Sequence, residues 1–285
     1  MILIDFNGIA IGNVVVQRLA ADENLIRHMI LNSIRMYRQK FHKEFGEVVI
    51  VADGAGNWRK EAYPQYKANR KKSRDESSID WENVFRIINM VRDEIRDNFP
   101  YKVMHQYGCE ADDVIAQIAL ETQEFGKHEP VMIVSADKDF IQLQKYDNIK
   151  QFSPMTKKYV KHDNPRLYMM EHIFRGDGGD GVPNVLSDDN VFVEGRRQSP
   201  VTKKKIDSWI QSEDLKEAMG QDIYRNFLRN KKMIDLTETP QNIKSEIINN
   251  YENQDPWKNK SKVFPYLIEK RCKLLLENVQ EFING

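Results

Sequence analysis

The chain reads as an α/β protein with a mostly parallel central sheet flanked by helices, followed by a smaller all-helical domain. Two observations predict this class. Short β-rich runs alternate with longer helical patterns over the first half, and the β signal fades after about residue 163. The division expected from this change lies at 1–162 and 163–285.

The elements follow in order. "MILIDF" (1–6) is strand-like, 24–44 has helical spacing, "EVVIVAD" (47–53) is strand-like and 80–98 is helical. "YKVMHQ" (101–106) predicts a third strand and "PVMIVSAD" (130–137) a fourth. Between these two, "YGCEADDVIAQIAL" places Ala111, Val114, Ile115, Ile118 and Ala119 at the spacing of a helix that buries one face. Beyond residue 163, "PRLYMMEHIF", "TKKKIDSWIQ", "YRNFLRNKKMIDL", "NIKSEIINNYE" and "YLIEKRCKLLLENVQEF" read as short helices. Two stretches break the rhythm. Residues 54–79 are far longer than an ordinary βα connection, and 176–200 is a run of turns dense in Gly, Asp and Asn.

With 285 residues and 40% hydrophobic content the chain can bury one large core or two smaller ones. Lys+Arg and Asp+Glu both total 43, so only the distribution of charge can point to a partner. Cys109 and Cys272 are too few for a disulfide framework or a cysteine-based zinc site, which suggests a reducing, cytosolic setting. "MILIDF" lacks the basic leader and long apolar region of a signal peptide, and no apolar run is long enough to span a membrane.

The acidic residues carry the chemistry. One or two carboxylates at the head of a helix complement its dipole, but Glu110, Asp112 and Asp113 crowd together there. Asp5 closes the first strand, Asp53 the second, Glu110 follows the third, and Asp137 with Asp139 ends the fourth. In a parallel sheet all these termini share one edge, where ligands bind. Any one Asp is explained as a helix cap. Four strands delivering acids to the same edge make a cluster whose repulsion bound cations offset. Oxygen donors without His or Cys favour hard ions, Mg²⁺ or Mn²⁺, and the number of carboxylates favours two of them. A metal pair of this kind serves in-line phosphoryl displacement, the chemistry of nucleases and phosphatases.

The loop 54–79 indicates which phosphate ester. Arg59, Lys60, Lys67, Arg70, Lys71, Lys72 and Arg74 alternate with Trp58, Tyr63 and Tyr66, a mixture suited to a nucleic-acid backbone and unstacked bases. Taken alone, this loop is equally well explained as a solvated charged segment. Lys67 and Arg70 are three residues apart, on one face if the segment is helical, where both could reach one phosphate. In 176–200, Asp177 and Asp180 sit among glycines in an order that excludes an EF-hand. Arg196, Arg197, Lys203, Lys204 and Lys205 follow, near an expected helix N-terminus suited to duplex phosphates.

Taken together, "LIDFN", "VIVADG", "WRKEAYPQYKANR", "CEADDVIA", "SADKDFIQL" and "GDGGDGVPNV" resemble the structure-specific 5′-nucleases, the flap endonuclease group, and most nearly its T-even-type bacteriophage ribonuclease H branch. The resemblance spans residues 3–185. It implies a PIN-like 5′-nuclease fold with a helical arch and Mg²⁺-dependent 5′ to 3′ removal of RNA primers and 5′ flaps during phage replication. Asp5, Asp53, Glu110, Asp112 and Asp137, with Asp113 nearby, would hold one metal; Asp139, Asp177 and Asp180 would set the second. It further implies catalytic roles for Lys67, Arg70 and Asp112, and nucleic-acid contacts at Arg59, Tyr66, Lys67, Arg70, Lys71, Arg196, Arg197, Lys203 and Lys204. Residues 174–210 would form a helix–three-turn–helix element that grips duplex DNA and, in many relatives, a K⁺ ion. There "GVPNVLSDDNVFVEGRRQSP" departs from the family by inserting a longer loop. The implied setting is the cytoplasm of an infected bacterium. The protein would act there as a monomer beside a single-stranded-DNA-binding protein and a sliding clamp. Two other readings compete. A compact PIN-like ribonuclease would usually lack both the arch and the helical C-terminal part, and a junction-binding protein that has lost catalysis would gain nothing from so complete an acid set.

Overall fold

Six strands form one sheet in the computed structural model, which describes residues 1–16, 22–70 and 76–283. They are β1 (Ile2–Asp5), β2 (Val48–Ala52), β3 (Lys102–His105), β4 (Val131–Val134), β5 (Ile149–Ser153) and β6 (Lys158–Val160), in the order β3-β2-β1-β4-β5-β6. The first five run parallel and β6 returns antiparallel to β5. The predicted α/β class is observed. β2 and β4 are buried at every position, as central parallel strands must be, which is why they read as continuous apolar runs.

The helix Glu23–Phe45 packs on β1 and β4, Trp81–Asn98 on β3, and Ala111–Glu121 on β1 and β2. Trp81–Asn98 starts at Asp80, whose carboxylate accepts from the Asn83 N–H, and buries Val84, Ile87, Ile88, Val91 and Ile95 along one stripe. Three elements escape the sequence pattern. "FNGIAIGNVVV" forms a helix, Phe6–Val16, but is too uniformly apolar to show a helical face. β5 contains buried Gln151, whose amide donates to the Ser135 carbonyl at 3.1 Å, while Lys158 and Tyr159 of β6 face solvent. Neither strand presents an apolar run.

Contacts divide the chain into two units. The sheet unit contains Met1–Gly56, Asp80–Lys161 and Gln241–Gly285; the helical unit contains Asn57–Ile79 and His162–Pro240. The division expected at residue 162 thus differs in two segments. The C-terminal segment belongs with the sheet because it covers the edge strand: Gln254 accepts from the Val103 N–H at 2.9 Å and donates to the Val103 carbonyl at 3.1 Å. Residues 57–79 belong with the helices because buried Arg59 donates from Nε to the Met233 carbonyl at 2.9 Å and Tyr63 donates to the Asp189 carbonyl.

The helical unit is built on Pro165–Arg175 against Gln221–Ile234. Phe174 lies between Trp209 and Phe227, with ring centroids 5.3 Å away on each side. Fully buried Asn230 donates to the carbonyls of Ile173 and Pro183, both at 2.8 Å, and so fastens the turn region to this core.

Candidate metal centre and nucleic-acid segment

The sheet order reverses at β1, from which the chain runs to β2 and β3 on one side and to β4 and β5 on the other. A crevice opens beyond the strand ends at such a switch point. Asp5 is the last residue of β1 and is in register with Val51; Ile4 pairs with Val134, and Ala52 with His105. Asp53, Asp137 and the head of helix Ala111–Glu121 therefore follow strands that all end at this edge.

Backbone N–H groups and one hydroxyl set each carboxylate. Asp5 accepts from the Gly8 N–H at 2.9 Å and from the Ser135 hydroxyl at 2.7 Å, which ties β1 to the end of β4 across the switch point. A Cβ at Gly8 would lie 2.5 Å from Asp5 Oδ2, so a larger residue there would displace this carboxylate. Ser135 Oγ in turn accepts from the Asp137 N–H at 3.1 Å, and Asp137 accepts from the Asp139 N–H at 2.8 Å. Asp53 accepts from the Ala111 N–H at 3.0 Å, and its own N–H donates to Asn7 Oδ1 at 3.3 Å. Gly54 holds β2 against the turn before Glu110, where a Cβ would overlap the Gln106 carbonyl. Ser135 and Asn7 hold these carboxylate segments in place, a part that the acid pattern does not reveal. Both lie inside "SAD" and "DFN", next to acids that the pattern does mark.

Glu110 and Asp113 form a reciprocal capping box at the head of Ala111–Glu121. Asp113, expected near the first metal, is fully buried and accepts from the Glu110 N–H at 3.1 Å, a capping role that holds Glu110. Asp112 beside it is half-buried. The donor set is oxygen throughout, which fits a hard divalent cation. Among the described residues, no three of these edge carboxylates bring ligand atoms within 4.8 Å of one another. They ring an open edge, as suits an ion that keeps waters and takes only one or two carboxylates directly.

In the helical unit the charges pair. Lys67 Nζ lies 3.4 Å from Asp180 Oδ2, Arg70 pairs with Asp180 Oδ1, and the Tyr66 hydroxyl donates to Oδ2 at 2.9 Å. The Lys67 N–H also donates to the Asp180 carbonyl at 2.7 Å, with Lys67 at φ 55°, a conformation that a non-glycine residue keeps only when its surroundings hold it. Burial pushes the Asp180 carboxyl up, against the pull of Lys67 and Arg70. Asp180, expected to help set a metal, is here the counter-ion of the basic pair. Asp177 accepts from the N–H groups of Gly179 and Asp180 at 2.8 and 3.1 Å, and one of its oxygens lies 3.7 Å from His172 Nε2.

Two of the expected nucleic-acid contacts are corrected by burial. Arg59 is 2% exposed, stacked on Trp58 and bonded to Met233; Tyr66 is 3% exposed and spends its hydroxyl on Asp180. Neither presents a surface to a base or phosphate. Arg196 is exposed but paired with Asp188 and Glu194 at 3.2 and 2.7 Å. Arg197, Lys203 and Lys204 are exposed, the last two opening helix Lys203–Ile210. The expectation for Lys71 falls outside the described residues. The inserted loop is closed by side chains: Asn226 donates to the Val185 carbonyl at 3.0 Å, and Arg229 and Asn230 to the Pro183 carbonyl at 2.9 and 2.8 Å. An ion bound to these carbonyls would compete with those donors.

A parallel sheet with carboxylates gathered at its switch-point edge, in a chain that also carries a basic segment, suits a hydrolytic nuclease. Residues 2–171 match the 5′-3′ exonuclease family, N-terminal resolvase-like domain, and residues 163–282 match the T4 RNase H C-terminal family. The chain belongs to the 5′-3′ exonuclease family. It is 35% identical to ribonuclease H of Enterobacteria phage T4, over 98% of this chain and 95% of that one. A 5′-3′ exonuclease of Buchnera aphidicola is 27% identical over 55% of this chain and 53% of its own length. Among solved structures, the phage T5 D15 protein co-crystallised with metal ions covers 88% of this chain and 98% of its own, with TM-score 0.61 and 16% identity, a likeness of fold.

Proposed function

We propose that the chain is an Mg²⁺-dependent 5′ to 3′ nuclease that removes RNA primers and 5′ flaps from RNA/DNA and DNA duplexes during phage replication. The observation that carries this reading is the single edge to which β1, β2 and β4 and the turn after β3 deliver Asp5, Asp53, Asp137, Glu110 and Asp112. Those five carboxylates would hold the first ion, one or two of them directly and the others through its waters, and Asp139 on the same edge would share in holding a second. The two ions, Mg²⁺ with Mn²⁺ able to replace it, would lower the pKa of the attacking water and offset charge on the departing 3′-oxygen. A neighbouring phage T5 flap endonuclease, 17% identical with TM-score 0.60, was crystallised with DNA and metal ions.

The chain's own residues orient and neutralise. Backbone N–H groups at Gly8, Ala111 and Asp139 fix the carboxylates before substrate arrives, so little reorganisation is needed when charge develops. Lys67 and Arg70 would exchange the Asp180 carboxylate for the scissile phosphodiester, likewise a monoanion with two accepting oxygens, whose negative charge grows as the transition state forms. Lys203, Lys204 and Arg197 would hold duplex phosphates without reading sequence. A single-stranded-DNA-binding protein and a sliding clamp are the partners that replication would supply.

The deciding experiment uses a duplex with a labelled 5′ flap, with and without Mg²⁺, beside Asp112→Asn. Mg²⁺-dependent cleavage near the junction that the variant loses is the expected result. Binding of the junction without cleavage in either Mg²⁺ or Mn²⁺ would replace the enzyme with a binding protein.

A further inference from the structure

The turn that leads from β3 into the helix Ala111–Glu121 is laid against the end of β2 by a short run of hydrogen bonds. Asp53 accepts from the Ala111 N–H at 3.0 Å, the Gly54 N–H donates to the Cys109 carbonyl at 3.1 Å, and the Gly108 N–H donates to the Ala55 carbonyl at 2.7 Å. Tyr107 comes next in this run, against Gly56. The backbone reaches at most about 11 Å from Asp53 to Gly56, so Tyr107 stands beside the carboxylate edge on a segment fastened to it.

The Tyr107 ring is held in place although it is exposed. A Cβ built on Gly56 would lie 3.3 Å from Tyr107 Cζ and 3.5 Å from both Cε2 and the hydroxyl oxygen. Cζ is the nearest of the three, so Gly56 lies under the face of the ring; an approach along the ring edge would bring Cε2 or the oxygen closest. Gly56 has φ 77°, and a side chain there would push into the ring. With one face resting on this glycine, Tyr107 is still 75% exposed, against 56% for Trp257, the next most exposed aromatic side chain among the described residues. A lone exposed aromatic is an ordinary surface feature. A ring supported on one face, open on the other and anchored beside a row of carboxylates has the form of a stacking platform.

We propose that Tyr107 stacks on a base of the strand being cut, next to the phosphate held at the carboxylate edge. This role rests on the nuclease reading and specifies how that site grips its substrate. Charge alone cannot supply the grip there, because the carboxylates repel a phosphate backbone until ions neutralise them. A neutral ring adds attraction that needs no ion. Every base has a π-face, so the contact is indifferent to sequence. It requires a base outside the duplex stack, and so favours a strand that is frayed or single at the cleaved position.

The test crosses variant with substrate. Wild type, Tyr107→Ala and Tyr107→Phe are assayed for kcat/KM in Mg²⁺ on a 5′-flap duplex and on two copies of it that carry an abasic nucleotide on one or the other side of the cleaved bond. Tyr107→Ala should lower kcat/KM roughly tenfold on the normal flap. Tyr107→Phe, which keeps the ring, should match wild type, and the melting temperature should stay unchanged in both. One of the abasic substrates should slow wild type by a similar factor and be cut by Tyr107→Ala no worse than the normal flap. The proposal is overturned if Tyr107→Ala is as active as wild type, if Tyr107→Phe is as impaired as Tyr107→Ala, or if the loss in Tyr107→Ala has the same size on all three substrates. Should wild type bind the flap without cutting it, the nuclease reading fails by itself, and the same three comparisons, made in affinity, uphold or overturn the stacking role.

Discussion

The two units treat charge in opposite ways. At the sheet edge, like charges are gathered and held by backbone N–H groups: Asp5 by Gly8, Asp53 by Ala111, Asp137 by Asp139. In the helical unit, opposite charges neutralise one another: Asp180 meets Lys67 and Arg70, and Asp189 meets Arg225 and Arg229. Pairing stabilises a fold, whereas gathering like charges strains it. A cluster of the second kind persists because it does something other than hold the chain together, and mutation should separate the two cases.

The largest effect is expected at the edge. Asp53→Asn keeps the shape and the bond from Ala111 but removes one charge. It should lower kcat on flap substrate by on the order of 10²–10³-fold while raising the melting temperature of the metal-free protein, because repulsion is relieved. Parallel losses of rate and stability would mean that the edge is a structural cluster and the comparison false.

The reverse pattern is expected at Asp189→Asn. Burial pushes the Asp189 carboxyl up, but the hydrogen bonds from Arg225 and Arg229 outweigh it and hold the group below its ordinary range. A carboxyl whose folded pKa is depressed contributes stability that is complete above its unfolded value of about 3.9 and lost as pH falls through the folded value. Neutralising it should cost about 1 kcal/mol at pH 7, trimmed by solvent at this part-exposed site, and leave kcat nearly unchanged. The gap between wild type and variant should close as denaturant midpoints are followed down to pH 3. A constant gap would show that loss of packing, not of charge, was measured.

The same contrast explains what the sequence made legible. "VVIVA" and "VMIV" are apolar because two covered faces require it, so the central strands and the acids that end them could be read directly, and parallel register then brought the acids to one edge. β5 and the helix Phe6–Val16 were not legible, one because buried Gln151 interrupts it and the other because it has no polar face. Among charged residues, pattern alone could not distinguish a free charge from a paired one. "WRKEAYPQYKANR" looks uniformly like a phosphate-binding surface, yet Arg59 and Tyr66 are interior and Lys67 and Arg70 hold Asp180. Partner choice there depends on residues more than a hundred positions away in the chain, and local spacing carries no record of it.

The smallest effect tests whether the helical unit also contains charge placed against stability. Lys203, Lys204 and Lys205 open the helix Lys203–Ile210, where the dipole disfavours cations, and the Thr202 hydroxyl caps it by accepting from the Lys205 N–H at 3.3 Å. A lysine run at that end is unfavourable to the helix and useful to a duplex backbone. Lys203→Ala combined with Lys204→Ala should raise stability by a few tenths of a kcal/mol per site. Duplex affinity should weaken for every sequence alike, with the salt dependence of log K shallower by about one unit per lost phosphate contact. If stability rises while the slope stays fixed, these lysines are solvated charges and the helical unit's contribution to DNA lies elsewhere. If both move as stated, each unit carries its own charges held at a cost to the fold, acidic on the sheet and basic on the helix.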